Sequence, residues 1–277
     1  MENQIKEKAK QHILIAAHRG TAGGNLPCNT LAAYEAALRQ GADIVELDVS
    51  KSADGELFVF HPGMEPYHLR SPRYIKDMTA AEVEQLHFVN QDGVETTHKI
   101  SRLNDALEFL KGRCVVNIDK FWTCMPEITQ AVRQHGMQDQ VIVKTAAEEK
   151  WFDMVEQIAP DFPYMPIVSE SDRCCEMLLK RPIRYIGAEV LFSSPESPTA
   201  QPEYREQMHR NGLVLWGNAI VYYYKAILSA GHSDDESLYG DPNKGWGWLA
   251  DSGFDIIQTD WVLAMRQYLE CTKRYYR

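Results

Sequence analysis

Short apolar runs of β type alternate along the whole chain with stretches in which apolar residues recur every three or four positions. The runs 13–17, 44–49, 57–60, 115–118, 141–143, 164–168, 185–190, 213–215 and 256–258 read as strands. Residues 30–40, 80–86, 103–110, 125–135, 146–158, 171–179, 202–210 and 262–273 read as helices. Regular strand–helix alternation signals βαβ units and a parallel sheet. A chain of 277 residues suits an α/β fold of the (β/α)8 TIM-barrel type, which takes about 250 residues. An open doubly wound sheet is the alternative. With neither an internal repeat nor a low-complexity linker, one domain spanning 1–277 is expected.

The pattern offers nine strands where a barrel needs eight. The second and third are joined only by residues 50–56, which contain Asp54-Gly55. Asp-Gly between two β-type runs is a turn signal, and the link is too short for a crossover helix. An extra strand or hairpin is therefore expected after the second strand. The pattern does not say which of the nine lies outside the barrel. Two long loops, 62–78 and 229–247, belong over the active rim. The second holds Trp246 and Trp248, with Tyr222, Tyr223 and Tyr224 upstream; these aromatics either line a substrate pocket or pack the barrel.

A net charge of −10 disfavours non-specific binding to nucleic acid or to anionic membranes. It does not exclude a phosphate substrate, because a bound cation and a few basic groups can reverse the field in one pocket. Residues 1–8 alternate charge and lack the apolar core of a signal peptide, and no run is long enough to span a bilayer. A cytoplasmic protein with no stable membrane insertion is expected. The six cysteines show neither zinc-site nor disulfide spacing and read as free thiols.

Four local features carry candidate chemistry. His18-Arg19-Gly20 directly follows an apolar strand, where barrel enzymes place reactive groups. A histidine moves protons near neutral pH, and an arginine fork suits phosphate oxygens; a plain surface turn is the competing reading. Glu46 and Asp48 are two residues apart on a strand and share a face. Two carboxylates in a core repel unless a cation sits between them, and oxygen ligands favour Mg²⁺, Ca²⁺ or Mn²⁺ over zinc. A buried salt bridge is the alternative. His61 lands opposite this pair if the Asp54-Gly55 turn folds the third strand back onto the second. Asp119, alternating with Val116 and Ile118, supplies a third carboxylate from another strand end.

Six motifs in order resemble the glycerophosphodiester phosphodiesterase family: His18-Arg19-Gly20, Pro27-Cys28-Asn29-Thr30, Glu46-Leu47-Asp48, Phe60-His61-Pro62, Asn117-Ile118-Asp119-Lys120 and Thr259-Asp260. The resemblance implies a barrel that hydrolyses a glycerophosphodiester to glycerol 3-phosphate and an alcohol. It implies His18 and His61 as the acid–base pair and Arg19 as a phosphate contact. It also implies one divalent cation, Mg²⁺ or Ca²⁺ with Mn²⁺ also compatible, on Glu46, Asp48 and Asp119. An inositol- or choline-containing head group, or a barrel that binds diesters without cleaving them, are the rival readings. The chain departs from the family pattern at Cys28 and Asp119, where the family has glutamate, and at Pro62, where it has aspartate. Phe121 stands where the family has lysine, with Lys120 one place early. Strand alternation places Phe121 inward and Lys120 outward, unless the strand ends or bulges at Asp119. Lys144, ending the next strand, is therefore expected to point into the site and take the lysine's duty, a solvated rim residue being the alternative.

Overall fold

The computed structural model describes residues 4–276. Its strands are β1 (Leu14–Ala17), β2 (Ile44–Lys51), β3 (Leu57–Val59), β4 (His87–Val89), β5 (Glu95–Lys99), β6 (Val115–Asp119), β7 (Val141–Ala146), β8 (Tyr164–Ser169), β9 (Gly187–Leu191), β10 (Val214–Asn218) and β11 (Ile256–Thr259). Eight of them close a parallel barrel in the order β1, β2, β6, β7, β8, β9, β10, β11, with β11 paired back onto β1. The ninth expected strand, β3, is the one outside. It runs antiparallel on β2, with Val49 opposite Val59 and Lys51 opposite Leu57, as the Asp54-Gly55 turn requires.

The period of two divides each barrel strand between two cores. Outward residues such as Ile15, Val45, Leu47, Val116, Ile118 and Val143 pack under the helices. Inward residues Leu14, Ile44, Val115, Ile142, Met165 and Ile256 fill the barrel floor. The helix Gln4–Ala9 plugs that floor with Ile5 and Ala9. Above the floor the inward positions turn polar: Glu46, Asn117, Lys144, Glu189 and Gln258. Each strand thus changes from apolar to polar along one face, which puts the chemistry at the C-terminal rim.

Between β2 and β6 lies an insertion whose extent the sequence pattern under-read. Besides β3 it contains the hairpin β4–β5, whose central threonine and histidine carry no apolar alternation. It has its own core of Phe58, Phe60, Ile75, Val83, Phe88 and Ile100. The loop expected at 62–78 holds the helix Glu65–His68, and Glu65 Oε1 accepts the Ile75 N–H at 3.0 Å to close the loop on itself. The loop expected at 229–247 holds the helix Asp234–Tyr239 and runs into Trp246–Asp251. No helix among the described residues is long and apolar enough to cross a membrane.

Ile5 is fully buried in the floor. Ile5→Ala should therefore destabilise the fold by about 2–5 kcal/mol through lost burial and a residual cavity. Denaturant unfolding measures this; an unchanged midpoint would mean the plug contributes nothing.

Candidate active site

The site is built from the rim of β1, β2 and β6. Glu46 and Asp48 share the inner face of β2, and the parallel register sets Asp48 beside Asp119 of β6. One oxygen from each of Glu46, Asp48 and Asp119 lies within 4.8 Å of the others. The remaining oxygens are tied down one by one. Glu46 Oε2 accepts the Arg19 backbone N–H at 2.8 Å. Asp48 Oδ2 accepts Asn29 Nδ2 at 2.9 Å, and Asp119 Oδ2 accepts Lys120 Nζ at 2.9 Å. Asp48 Oδ1 is buried with no hydrogen-bond partner, which in a native site calls for an explanation such as an ion. The all-oxygen donor set fits a hard divalent cation. Burial, then the neighbouring Asp48 and Asp119, push Glu46 well above the usual carboxylate range. Asp119 is held low: burial opposes its charge, but the Lys120 ammonium, by field and hydrogen bond, outweighs it.

The turn after β1 explains Arg19. Both Arg19 (φ 55°) and Gly20 (φ 77°) are left-handed. A Cβ on Gly20 would lie 2.7 Å from the Ala33 backbone, so the turn closes on the helix Leu31–Arg39 only with glycine. Arg19 Nε lies 2.9 Å from Asp48 Oδ2, within ion-pair reach but off-line for a hydrogen bond, and its N–H has no acceptor. Asn29 (φ 56°) is the buried brace of the site: Nδ2 holds Asp48 and Oδ1 accepts the Tyr34 hydroxyl at 3.2 Å. Thr30 caps the following helix. Cys28 has no bond to Arg19. Its Sγ lies 4.0 Å from His68 Nδ1, and burial pushes the thiol up to about 11.

The two histidines have different partners. His18 Nδ1 lies 2.8 Å from Asp260 Oδ1, so it donates to that carboxylate and Nε2 is the nitrogen left for proton transfer. His61 Nδ1 donates to the carbonyl of Pro62 at 2.9 Å, and its Nε2 faces Asp48 Oδ1 at 4.0 Å. Burial is the main cause that holds the His61 imidazole below its usual range; Asp48 works against it, and Arg19 and Lys120 add to it.

The expected placing of Phe121 and Lys120 is corrected. β6 ends at Asp119, and Lys120 adopts the left-handed conformation (φ 58°). That turn swings Lys120 into the rim cavity and sends Phe121 to the outer core. Lys144 does point inward and is buried, but it is engaged. Its Nζ donates to Glu189 Oε2 at 2.8 Å and sits 3.1 Å from the centre of the Trp216 ring. Asn218 Nδ2 donates to Glu189 Oε1 at 2.8 Å. The cavity over these groups measures about 150 Å³ and includes His18, Glu46, Asp119, Lys120, Lys144 and Tyr222. Of the aromatics in question, Tyr222 lines it. Trp246 is core, its indole donating to Asp234, and Trp248 stacks on His232. Glu189 and Asn218 were missed by sequence reading; Glu189 alone had a signal, as a lone carboxylate alternating with apolar residues in β9.

A family model described as a domain of unknown function matches residues 164–269. Protein YqiK of Bacillus subtilis is 27% identical over 211 residues, 72% of this chain and 83% of that protein. A glycerophosphodiester phosphodiesterase of Caldanaerobacter subterraneus subsp. tengcongensis is 28% identical over 155 residues, covering 53% of this chain and 63% of the enzyme. Among solved structures, a glycerophosphoryl diester phosphodiesterase from Parabacteroides distasonis superposes with TM-score 0.77 at 18% identity, over 95% of this chain and 88% of that one. An Oleispira antarctica phosphodiesterase, solved with the product sn-glycerol-3-phosphate, gives 0.69 at 18% identity, over 94% and 97%. In sequence the chain is similar to glycerophosphodiester phosphodiesterases, and it shares their barrel fold. The likeness to the phosphodiesterases in fold extends over nearly the whole barrel, while the Caldanaerobacter phosphodiesterase matches over less than two thirds of its own length.

One further carboxylate anchors the site. Asp234 is buried and accepts Trp246 Nε1 and Thr259 Oγ1, each at 2.7 Å, and the Asp260 N–H at 2.9 Å. Burial, against these donors, raises it to about 6. A carboxyl raised on folding gives stability that is complete below its unfolded pKa and is lost as pH rises through its folded one. The stability difference between wild type and Asp234→Asn should therefore shift toward the variant between pH 4 and 7, by up to about 3 kcal/mol. Paired denaturation at several pH values tests this, and a constant difference would refute it.

Proposed function

We propose that this chain hydrolyses a glycerophosphodiester to glycerol 3-phosphate and an alcohol, with a divalent cation on Glu46, Asp48 and Asp119. The observation that carries the reading is three carboxylates converging on one point, flanked by two histidines whose Nδ1 atoms bond to different acceptors, a carboxylate for His18 and a backbone carbonyl for His61. The named relatives, and the product bound to the Oleispira enzyme, support the substrate class. When bound, the cation would offset phosphate charge as it builds up in the transition state.

The residues themselves divide the remaining work. His61 is neutral and presents Nε2 as an acceptor, so it is the general base that takes the proton of the attacking hydroxyl. That hydroxyl is water or the substrate's own neighbouring one. The new O–P bond forms as the bond to the alcohol oxygen breaks. His18, whose Nδ1 is held by the Asp260 carboxylate, is the general acid that protonates the departing oxygen from Nε2. Arg19 and Lys120 bring positive charge to the phosphate oxygens, each with a donor at the cavity or unpaired beside it. Lys144 adds a positive field from beneath Asp119 while holding Glu189.

His18→Ala and His61→Ala should each lower turnover of an alkyl diester roughly 10²–10⁴-fold. On a p-nitrophenyl diester, whose leaving group needs no proton, only His61→Ala should keep the full loss. Equal losses on both substrates for His18→Ala would refute its role as acid. EDTA should abolish activity and added Mg²⁺ or Ca²⁺ restore it, and calorimetry should show weakened cation binding in Glu46→Gln but not in either histidine variant.

Lys120→Ala and Lys144→Ala separate the two lysines. Both should lower kcat/KM, and only Lys144→Ala should also lower thermal stability, because it strands the Glu189 carboxylate in the barrel. A Lys144 variant with normal activity and normal melting would remove it from the site.

A further inference from the structure

Resting on the phosphodiesterase reading above, we infer that the groove on the barrel flank beside His18 binds the departing alcohol, and that this alcohol is uncharged and bears an apolar portion. The rim cavity over the carboxylates is small, about 150 Å³, and polar. Beside it lies a larger groove of about 630 Å³, running between the first and last helices of the barrel. His18 lines both. It is therefore the partition between the space that holds the phosphoryl group and a space that holds something else.

A general acid must lie within hydrogen-bond reach of the oxygen it protonates. With His18 as the acid, the departing oxygen sits at this partition. The glycerophosphoryl half belongs on the carboxylate side, where Lys120 and Lys144 supply positive charge. The groove contains no lysine, and its one arginine, Arg19, is paired with Asp48 on the carboxylate side and joined in the groove by Asp260, so no second phosphate site is built in it. The rest of the alcohol can then extend into the groove, whose volume falls in the range of about 300–1,000 Å³ that suits a whole small molecule.

The chemistry of the groove selects among alcohols. Thr21, Ala22 and Gln40 form one wall, and Trp261, Leu263 and Ala264 the other. Trp261 and Leu263 are exposed, 53% and 46%, without an apolar partner of their own that would explain their outward setting. The charged groups of the groove are already committed: Arg19 to Asp48, and Asp260 to His18. His68 is held below its usual range, chiefly by burial and then by the charges of Arg19 and His61. The two charged groups of the groove, Arg19 and Asp260, are opposite in sign, so it offers no net charge to select an ammonium head group or an acid. What remains is an apolar wall facing hydroxyl and amide groups, which suits an uncharged alcohol with hydrocarbon to bury.

The test compares kcat/KM on three glycerophosphodiesters, the methyl, n-hexyl and choline esters, with saturating Mg²⁺ or Ca²⁺. Wild type should prefer the hexyl ester to both others. Ala264→Phe, on a half-exposed helical position, narrows the groove without touching His18 or the carboxylates. It should lower kcat/KM for the hexyl ester roughly 10-fold or more and leave the methyl ester within about twofold, the scale set by blocking a hydrophobic pocket. Leu263→Ser, at an exposed position that places no demand on folding, should raise KM for the hexyl ester several-fold, on the order of one buried apolar contact, without changing its kcat. Parallel changes on methyl and hexyl esters, or none on either, overturn the groove assignment while leaving the phosphodiesterase reading intact. A wild-type preference for the choline ester overturns the uncharged class. Inactivity of the wild type on all three overturns the reading and the inference together.

Discussion

Three carboxylates held at one point of a barrel rim repel each other, and most of the neighbouring structure exists to hold them there. Glu46 and Asp48 are buried on one strand, with Asp119 beside Asp48 on the next. Each has one oxygen bound to a donor from a different part of the chain: a backbone amide after β1, an asparagine before the first barrel helix, a lysine after β6. All three donors belong to residues with left-handed backbone, Arg19, Asn29 and Lys120. Such conformations cost about 1–3 kcal/mol each for residues other than glycine and persist where the surroundings fix them. Strain is therefore concentrated on the residues that orient the acids.

The insertion after β2 completes the arrangement from outside the barrel. β3 returns antiparallel along β2, so the segment that follows it is delivered beside the acids rather than over the barrel mouth, and that segment carries His61 two residues past the strand. Its position is secured by the insertion's own core, with Phe58 and Phe60 buried on either side of Val59. Pro62 fits this geometry: its carbonyl takes the His61 Nδ1–H that a carboxylate would otherwise take. The exchange removes a negative charge and leaves a neutral imidazole. The carboxylate-backed histidine is the other one, His18, through Asp260 and ultimately through Asp234, which holds the Asp260 amide.

What could be read from the sequence followed from periodicity and order. The nine apolar strands, the hairpin at Asp54-Gly55 and the same-face pair Glu46 and Asp48 all follow from a period of two, and all are present. Two kinds of feature were hidden. The hairpin β4–β5 packs one side of a small satellite core and carries a Glu-Thr-Thr-His-Lys strand, so it has no apolar alternation to see. Phe121 was misplaced because alternation was extended past the end of the strand; β6 ends at Asp119, the exception allowed for Lys120, and a left-handed residue there resets which side faces in. Asp234 and Tyr222 reach the site from a long loop whose course depends on tertiary contacts, and Trp246, equally prominent in the sequence, is core because Asp234 draws its indole inward.

Charge balance links the cation, the lysines and the substrate. Around the rim cavity stand four carboxylates, Glu46, Asp48, Asp119 and Glu189, and three fixed cations, Arg19, Lys120 and Lys144. Alone, the set is one negative charge in excess, and in a low-dielectric site such an excess is relieved by binding a proton. The raised Glu46 is the group that takes it, being buried with the other two acids beside it. A dication in the same place turns the excess to one positive charge, and a phosphodiester, carrying a single negative charge, neutralises it. The Lys144–Glu189 pair is neutral within itself and leaves this count unchanged, yet its ammonium still helps to hold Asp119 low, behind the directly bonded Lys120. A diester therefore matches the cation-loaded cavity in charge, whereas a monoester dianion would leave it negative. The groups missing from the family pattern, a glutamate at Cys28 and an aspartate at Pro62, are both acids; either one restored would shift the balance against the anionic substrate.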